Sequence, residues 1–213
     1  MKNPLSIIIL LLFCLSCSQK AAKSPHNWQE ISGRDSSQER LIIRHPIYRA
    51  QVPGTWKRVD PSPTSSIVDT TLPLVEFWID EEIHLTIHNF PSEKLEQRIP
   101  PIAQISRWQS QLKNLPPKEA LVKPVSRGGF AGYFFEGMTP EKWVMGWGLQ
   151  LDQEHYRSLT KKMNASNRAF VEQMRSDVTI KIVGPPHLCG KHRDELLAFA
   201  NSFELIQEIP RSP

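Results

Sequence analysis

Three side chains that could do nucleophilic or metal chemistry fall close together near the C-terminal end. They are His187, Cys189 and His192, in the stretch Gly184-Pro-Pro-His-Leu-Cys-Gly-Lys-His192. The glycines and prolines frame this stretch as a loop. A thiolate beside an imidazolium or Lys191 would have a lowered pKa and raised reactivity. A zinc site built from Cys and His generally takes four protein ligands, and only these three are local. A cysteine nucleophile also needs an orienting third group and an oxyanion hole, which one sequence does not display. The plain reading is a structural loop. Beside it stand a metal site, a catalytic thiol and a disulfide to a second chain.

A second constellation is His84 and His88, four residues apart. On a helix that spacing would hold one ion. The surrounding Ile83-His-Leu-Thr-Ile87 alternates as a strand, which separates the two imidazoles by roughly 13 Å at about 3.3 Å per residue. They share a face with Thr86 and cannot clamp a single metal. Trp78 alternates onto the same outward face, either as part of a contact patch or covered by a helix. Asp80, Glu81 and Glu82 are consecutive acids in a turn. General acid–base work needs carboxylates converging on a cleft, so these read as solvated.

The third reactive position is Cys17. Lys2 supplies a positive n-region, Leu5 to Leu15 is apolar except for Ser6, and small Ser16 precedes the cysteine. That order is a bacterial secretory signal ending in a lipidation cysteine. The apolar run is about 11 to 13 residues, whereas a spanning helix needs roughly 20. The segment Cys14-Leu15-Ser16-Cys17 resembles the lipobox of bacterial lipoproteins. The family prefers Leu where Cys14 stands and Ser or Ala where Leu15 stands. The resemblance implies that residues 1–16 are a signal peptide and that Cys17 is acylated. More than one acyl chain would hold the protein stably, each buried methylene contributing about 0.8 kcal/mol. The partners implied are a membrane, the cell membrane or the outer membrane of the envelope, and an envelope protein.

The elements that must position these groups follow from periodicity. Residues 17–40 are polar and read as a lipidated tether, with Trp28 and Ile31 as the two that could dock back. Residues 41–213 read as a single globular domain. Tyr48 to Val52 is a strand leading into the turn Pro53-Gly-Thr-Trp56. Val75-Glu-Phe-Trp-Ile79 and Ile83 to Ile87 alternate as a hairpin with Val75, Phe77, Ile79, Ile83, Leu85 and Ile87 inward. Pro100-Pro101 opens a helix, with Ile102, Ile105, Trp108 (or Gln109) and Leu112 toward a sheet. Further strands are expected at Leu121–Val125, at Phe130–Phe135 after Gly128-Gly129, at Trp143–Leu151 and around Val178, Ile180 and Ile182. A helix is expected at Tyr156–Met163 or Ala169–Met174, and a last one carries Leu196, Phe199, Ala200 and Phe203 on one stripe.

Hairpins with helices inserted between groups and one at the end argue for an α+β domain on a mostly antiparallel sheet flanked by helices. The run Tyr48 to Trp56, aromatic-x-x-x-V-P-G-x-W, resembles the start of PsbP-like domains. The Trp143–Leu151 strand followed by a helix closing on Asn201-Ser-Phe203 is similar to their end. The resemblance spans about residues 41–206 and implies an α/β/α sandwich. The segment 152–177 is longer than the family pattern. No site residue of that family maps onto this chain, and fold alone does not set function.

Composition narrows the classes. The chain has 213 residues and a formal net charge of +4, with 26 basic against 22 acidic side chains. That is a mixed surface with no basic stripe, which argues against nucleic acid. Of the three cysteines, Cys14 leaves with the signal and Cys17 is taken by lipid, so Cys189 has no internal disulfide partner. No GxSxG, HExxH, P-loop or GxGxxG occurs, and no cofactor is expected. The sequence points to a lipid-anchored envelope protein that binds a protein or small ligand without bond-making. The second reading is an envelope enzyme or metal-binding protein using His187, Cys189 and His192.

Overall fold

The computed structural model describes residues 26–32, 46–61, 72–91, 98–112, 120–151 and 176–206. The signal segment, Cys17 and the helix expected between 156 and 174 lie outside them. Among the described residues no helix is long and apolar enough to cross a membrane.

Alternating apolar residues build most of the strands. In chain order they are β1 (His26–Ser32), β2 (Pro46–Pro53), β3 (Lys57–Val59), β4 (Val75–Ile79), β5 (Ile83–Pro91), β6 (Leu121–Arg127), β7 (Phe130–Met138), β8 (Trp143–Leu151), β9 (Ser176–Gly184) and β10 (Glu204–Leu205). Helix α1 (Pro101–Gln111) lies between β5 and β6, and α2 (Pro186–Ser202) between β9 and β10. Seven strands form one sheet in the order β3-β4-β5-β9-β8-β7-β6, and β1-β2-β10 form a second. Every pairing is antiparallel. The fold is therefore α+β on antiparallel sheets, as the sequence pattern implies.

The large sheet has two unlike faces because strand side chains alternate. One face carries Val75, Phe77, Ile79, Ile83, Leu85, Ile87, Val178, Ile180, Ile182, Met145, Trp147 and Leu149, all buried. It packs on Leu196, Phe199 and Ala200 of α2 and on Tyr48, Ala50 and Val52 of β2 in one continuous core. Rings interlock there: Phe199 lies 5.3 Å from Trp56 and 5.7 Å from Phe77, centroid to centroid.

The other face carries α1, seated over β7 and β8 in a smaller cluster of Ile105, Trp108, Leu112, Phe135 and Val144. Two glycines of β8 make that seat. A Cβ on Gly146 would collide with the Trp108 ring, and one on Gly148 would come within 3.0 Å of the Pro101 carbonyl oxygen. Pro101 takes the first helical position of α1, where a missing N–H costs nothing. The seating also corrects the helix phase. Ile102, expected inward, is 47% exposed, and Gln104 is buried in its stead.

Two further expectations change. His26–Ser32, expected within the 17–40 tether, is a strand paired along β2 from His26↔Pro53 to Ser32↔Pro46. Ile31 is fully buried, while Trp28 stays half-exposed with the Arg49 guanidinium 4.9 Å above its ring. A polar edge strand needs only one anchoring apolar residue when its backbone is paired, so its alternation is weak in sequence. The domain thus includes residues ahead of 41. The Gly184–His192 stretch, expected as a loop, is the end of β9 followed directly by α2. Pro185 is the N-cap and Pro186 opens the helix, where its fixed φ suits the first turn.

Candidate functional site

That helical start decides the fate of the Cys/His stretch. Cys189 points into the core, fully buried, and burial pushes its thiol up to about 11. The shift is opposite to the activation expected beside a cation. His187, two residues earlier, is exposed. His192 turns outward, its Nε2 lying 2.8 Å from Asp80 Oδ2 and its Nδ1 3.2 Å from Glu195 Oε2. The helix thus sends His187, Cys189 and His192 in different directions. Among the described residues no three His, Cys, Asp or Glu side chains converge as a metal site.

The acidic turn 80–82 has a specific job for its first member. Asp80 and Glu81 adopt left-handed backbone, φ 47° and 59°, a region non-glycine residues enter at a cost. Asp80 accepts hydrogen bonds from His192 and, at 3.0 Å, from Lys191 Nζ. Those two donors hold its carboxyl below the usual carboxylate range. The contacts tie the β4–β5 hairpin to the first turns of α2.

A concave surface lies elsewhere, on the outer sheet face beside α1. Because α1 sits over β7 and β8, the neighbouring rows of β5 and β9 form a trough along its flank. Its floor is His84, Thr86, His88 and Phe90 from β5, with Thr179, Lys181 and Val183 from β9. Its wall is Gln104, Arg107 and Trp108 from α1, and the cavity is about 290 Å³. Register sets the floor: His84 pairs with Val183, Thr86 with Lys181 and His88 with Thr179. The strand reading of His84 and His88 holds, so the two imidazoles stand along one row with Thr86 between them.

Lys181 is the unusual group. Its Nζ donates a 2.6 Å hydrogen bond to Gln111 Oε1, a neutral acceptor. Burial, with the positive charges of Lys142 and Arg107 nearby, lowers its pKa to about 8. No carboxylate is among the described residues that line the trough. Two described acids on neighbouring positions, Glu76 and Asp177, are occupied. Glu76 Oε2 lies 2.5 Å from His84 Nε2, and His84 stacks on Trp78 at 4.2 Å. Asp177 accepts from Arg98 Nε and Nη2 at 3.1 and 2.7 Å, both side chains being almost fully buried. Burial raises the Asp177 carboxyl despite Arg98.

The outward placement of Trp78, His84, Thr86 and His88 follows from the alternation. Lys181 and Arg107 were not singled out by sequence. For Lys181 a signal existed: it lies between Ile180 and Ile182, so the phase that sends those two inward sends it outward. Arg107 carried none, since the helix phase depends on Trp108 settling over Gly146.

No family model matches this chain, and no curated protein matches it. Among solved structures it is similar to the solution structure of cyanobacterial PsbP (CyanoP) from Synechocystis sp. PCC 6803. The TM-score is 0.46 and the identity 13%, covering 90% of this chain and 98% of that one. A likeness at that identity concerns backbone shape and brings no residue role, ligand or partner with it.

Proposed function

We propose that this protein is an envelope lipoprotein, held to a membrane by acyl chains on Cys17, whose domain binds a partner or ligand through the outer face of its large sheet. The observation that carries the binding role is the trough beside α1. It is concave and lined by Lys181, Arg107 and two histidines, beside the strands that α1 covers. Such a surface holds a ligand by hydrogen bonds and charge. The anchor is supported by the order of Lys2, the apolar run, Ser16 and Cys17. A lipid anchor would leave the domain free of any part in membrane attachment.

The enzyme or metal-carrier reading built on His187, Cys189 and His192 has less support, because the thiol is buried with a raised pKa. Intact mass spectrometry of detergent-extracted protein tests the anchor. The expected mass begins at Cys17 and includes acyl chains, and a Cys17→Ala control lacks them. An unmodified mass beginning elsewhere contradicts the anchor. A photo-cross-linking residue in place of Thr86 tests the binding face. It should give adducts in cells where the same residue at Ala198, on the exposed side of α2, gives none. Equal adducts from both positions, or none from Thr86, contradict the binding face.

A further inference from the structure

The trough beside α1 gathers positive charge from more than one direction. Lys181 lies on the floor on β9 and Arg107 on the α1 wall, beside the β5 row of His88 and of His84, whose Nε2 lies 2.5 Å from Glu76 Oε2. Lys142 is near enough to act on Lys181 electrostatically. Like charges brought together in a partly buried site repel, and the fold carries that cost unless an anion enters. Among the described residues, Glu76 is engaged by His84 and Asp177 by Arg98, and Lys181 makes its hydrogen bond to the neutral amide of Gln111. The hydroxyls of Thr86 and Thr179, paired across the strands with Lys181 and His88, add donors at the floor.

We infer that this trough binds a phosphate group, presented either by a small free ligand or by a lipid headgroup. Cationic groups on both the floor and the wall favour phosphate over carboxylate. A carboxylate offers acceptors in one plane, suited to a single guanidinium fork. A tetrahedral phosphate offers acceptors to a floor and a wall at once, and an ammonium serves it as a point charge. The cavity, about 290 Å³, lies just below the roughly 300–1,000 Å³ typical of small-molecule sites, a size suited to one small anionic group. The Trp108 and Phe90 rings line the same space and give an organic substituent an apolar surface. This inference rests on the outer face being the binding face.

Equilibrium dialysis of the full chain in detergent against radiolabelled inorganic phosphate, at fixed ionic strength, tests it. One saturable site is expected. Affinity should fall about ten-fold or more in Lys181→Met and in Arg107→Met, a difference of about 1.4 kcal/mol. Lys181→Arg should stay near wild type, and Lys191→Met, whose partner is Asp80, should be unchanged. Circular dichroism confirms the fold of each variant. Absence of saturable binding, or full affinity in both Lys181→Met and Arg107→Met, overturns the inference.

Vesicles separate the two sources. The Cys17→Ala protein, which lacks the anchor residue, is sedimented with phosphatidylcholine vesicles with and without phosphatidylglycerol. Binding to the anionic vesicles that depends on Lys181 and is displaced by phosphate identifies a headgroup. Phosphate binding without vesicle binding identifies a free ligand. Cross-linked adducts from position 86 without any phosphate binding would remove the anion and leave the binding face. Loss of both would remove the binding face as well.

Discussion

The two faces of the seven-stranded sheet are made by the same strands, one residue out of phase, and they have opposite characters. The inner face is closed: apolar side chains of β4, β5, β8 and β9 meet α2 and β2 in one continuous core. The outer face is only partly covered, because α1 lies over β7 and β8 and leaves the β5 and β9 rows as a trough. Burial of apolar area, about 25 cal/mol per Å², stabilises the fold from the inner side. That frees the outer side to carry Lys181, Arg107, His84 and His88 at some cost in charge repulsion. A period-two pattern thus separates the stabilising face from the proposed binding face within single strands.

The largest effect should come from the inner face. Phe199→Ala removes a fully buried ring packed on Trp56 and Phe77. It should destabilise the domain by about 3–5 kcal/mol, seen as a lower midpoint in urea. A loss under about 1 kcal/mol would mean that the inner face is not the stabilising one.

Gly146→Ala should come next. The added methyl meets the Trp108 ring, and relieving it moves α1 at a cost of about 1–3 kcal/mol. Since α1 is the trough wall, the same change should also weaken whatever binds there. Lost stability with an unchanged trough would break the link between the helix seat and the site.

The smallest effect has the opposite sign. The Lys181 pKa is lowered from 10.5 to about 8, so its charged form disfavours the fold at neutral pH. Between about pH 8 and 10.5 the unfolded chain binds the extra proton, and stability should rise with pH across that window. Lys181→Met should remove this rise and stabilise the domain at pH 7 by about 1–2 kcal/mol, after allowance for solvent screening. Urea titrations of both proteins at pH 7 and pH 10 check it. A destabilised variant, or a pH slope that persists, would show that the ammonium is comfortable where it lies.

Much of this contrast is legible in the sequence. Val75, Phe77, Ile79, Ile83, Leu85 and Ile87 alternate cleanly, and each is buried as the alternation implies. The β8 strand and the proline start of α1 also read directly. What does not read depends on partners distant in sequence. The strand His26–Ser32 is specified by backbone pairing to β2 and by Ile31 alone. Ile102 and Gln104 exchange roles because Trp108 must settle over Gly146, a contact no local period encodes. Gly184-Pro185-Pro186 looks like a loop because proline breaks helices from within, yet here it starts one. For that reason Cys189 is buried and does not stand with His187 and His192 on a loop.

Ile180 and Lys181 test the division of labour most directly, because they are adjacent on β9 and face opposite ways. Unfolding free energy and phosphate affinity are measured for Ile180→Ala and Lys181→Met in parallel. The account predicts that Ile180→Ala loses about 2–5 kcal/mol of stability and binds phosphate as before in its folded fraction. Lys181→Met should keep or gain stability and lose about ten-fold or more in affinity. If Lys181→Met unfolds the domain as Ile180→Ala does, or binds phosphate unchanged, the outer face is not a binding face built on a stable inner one.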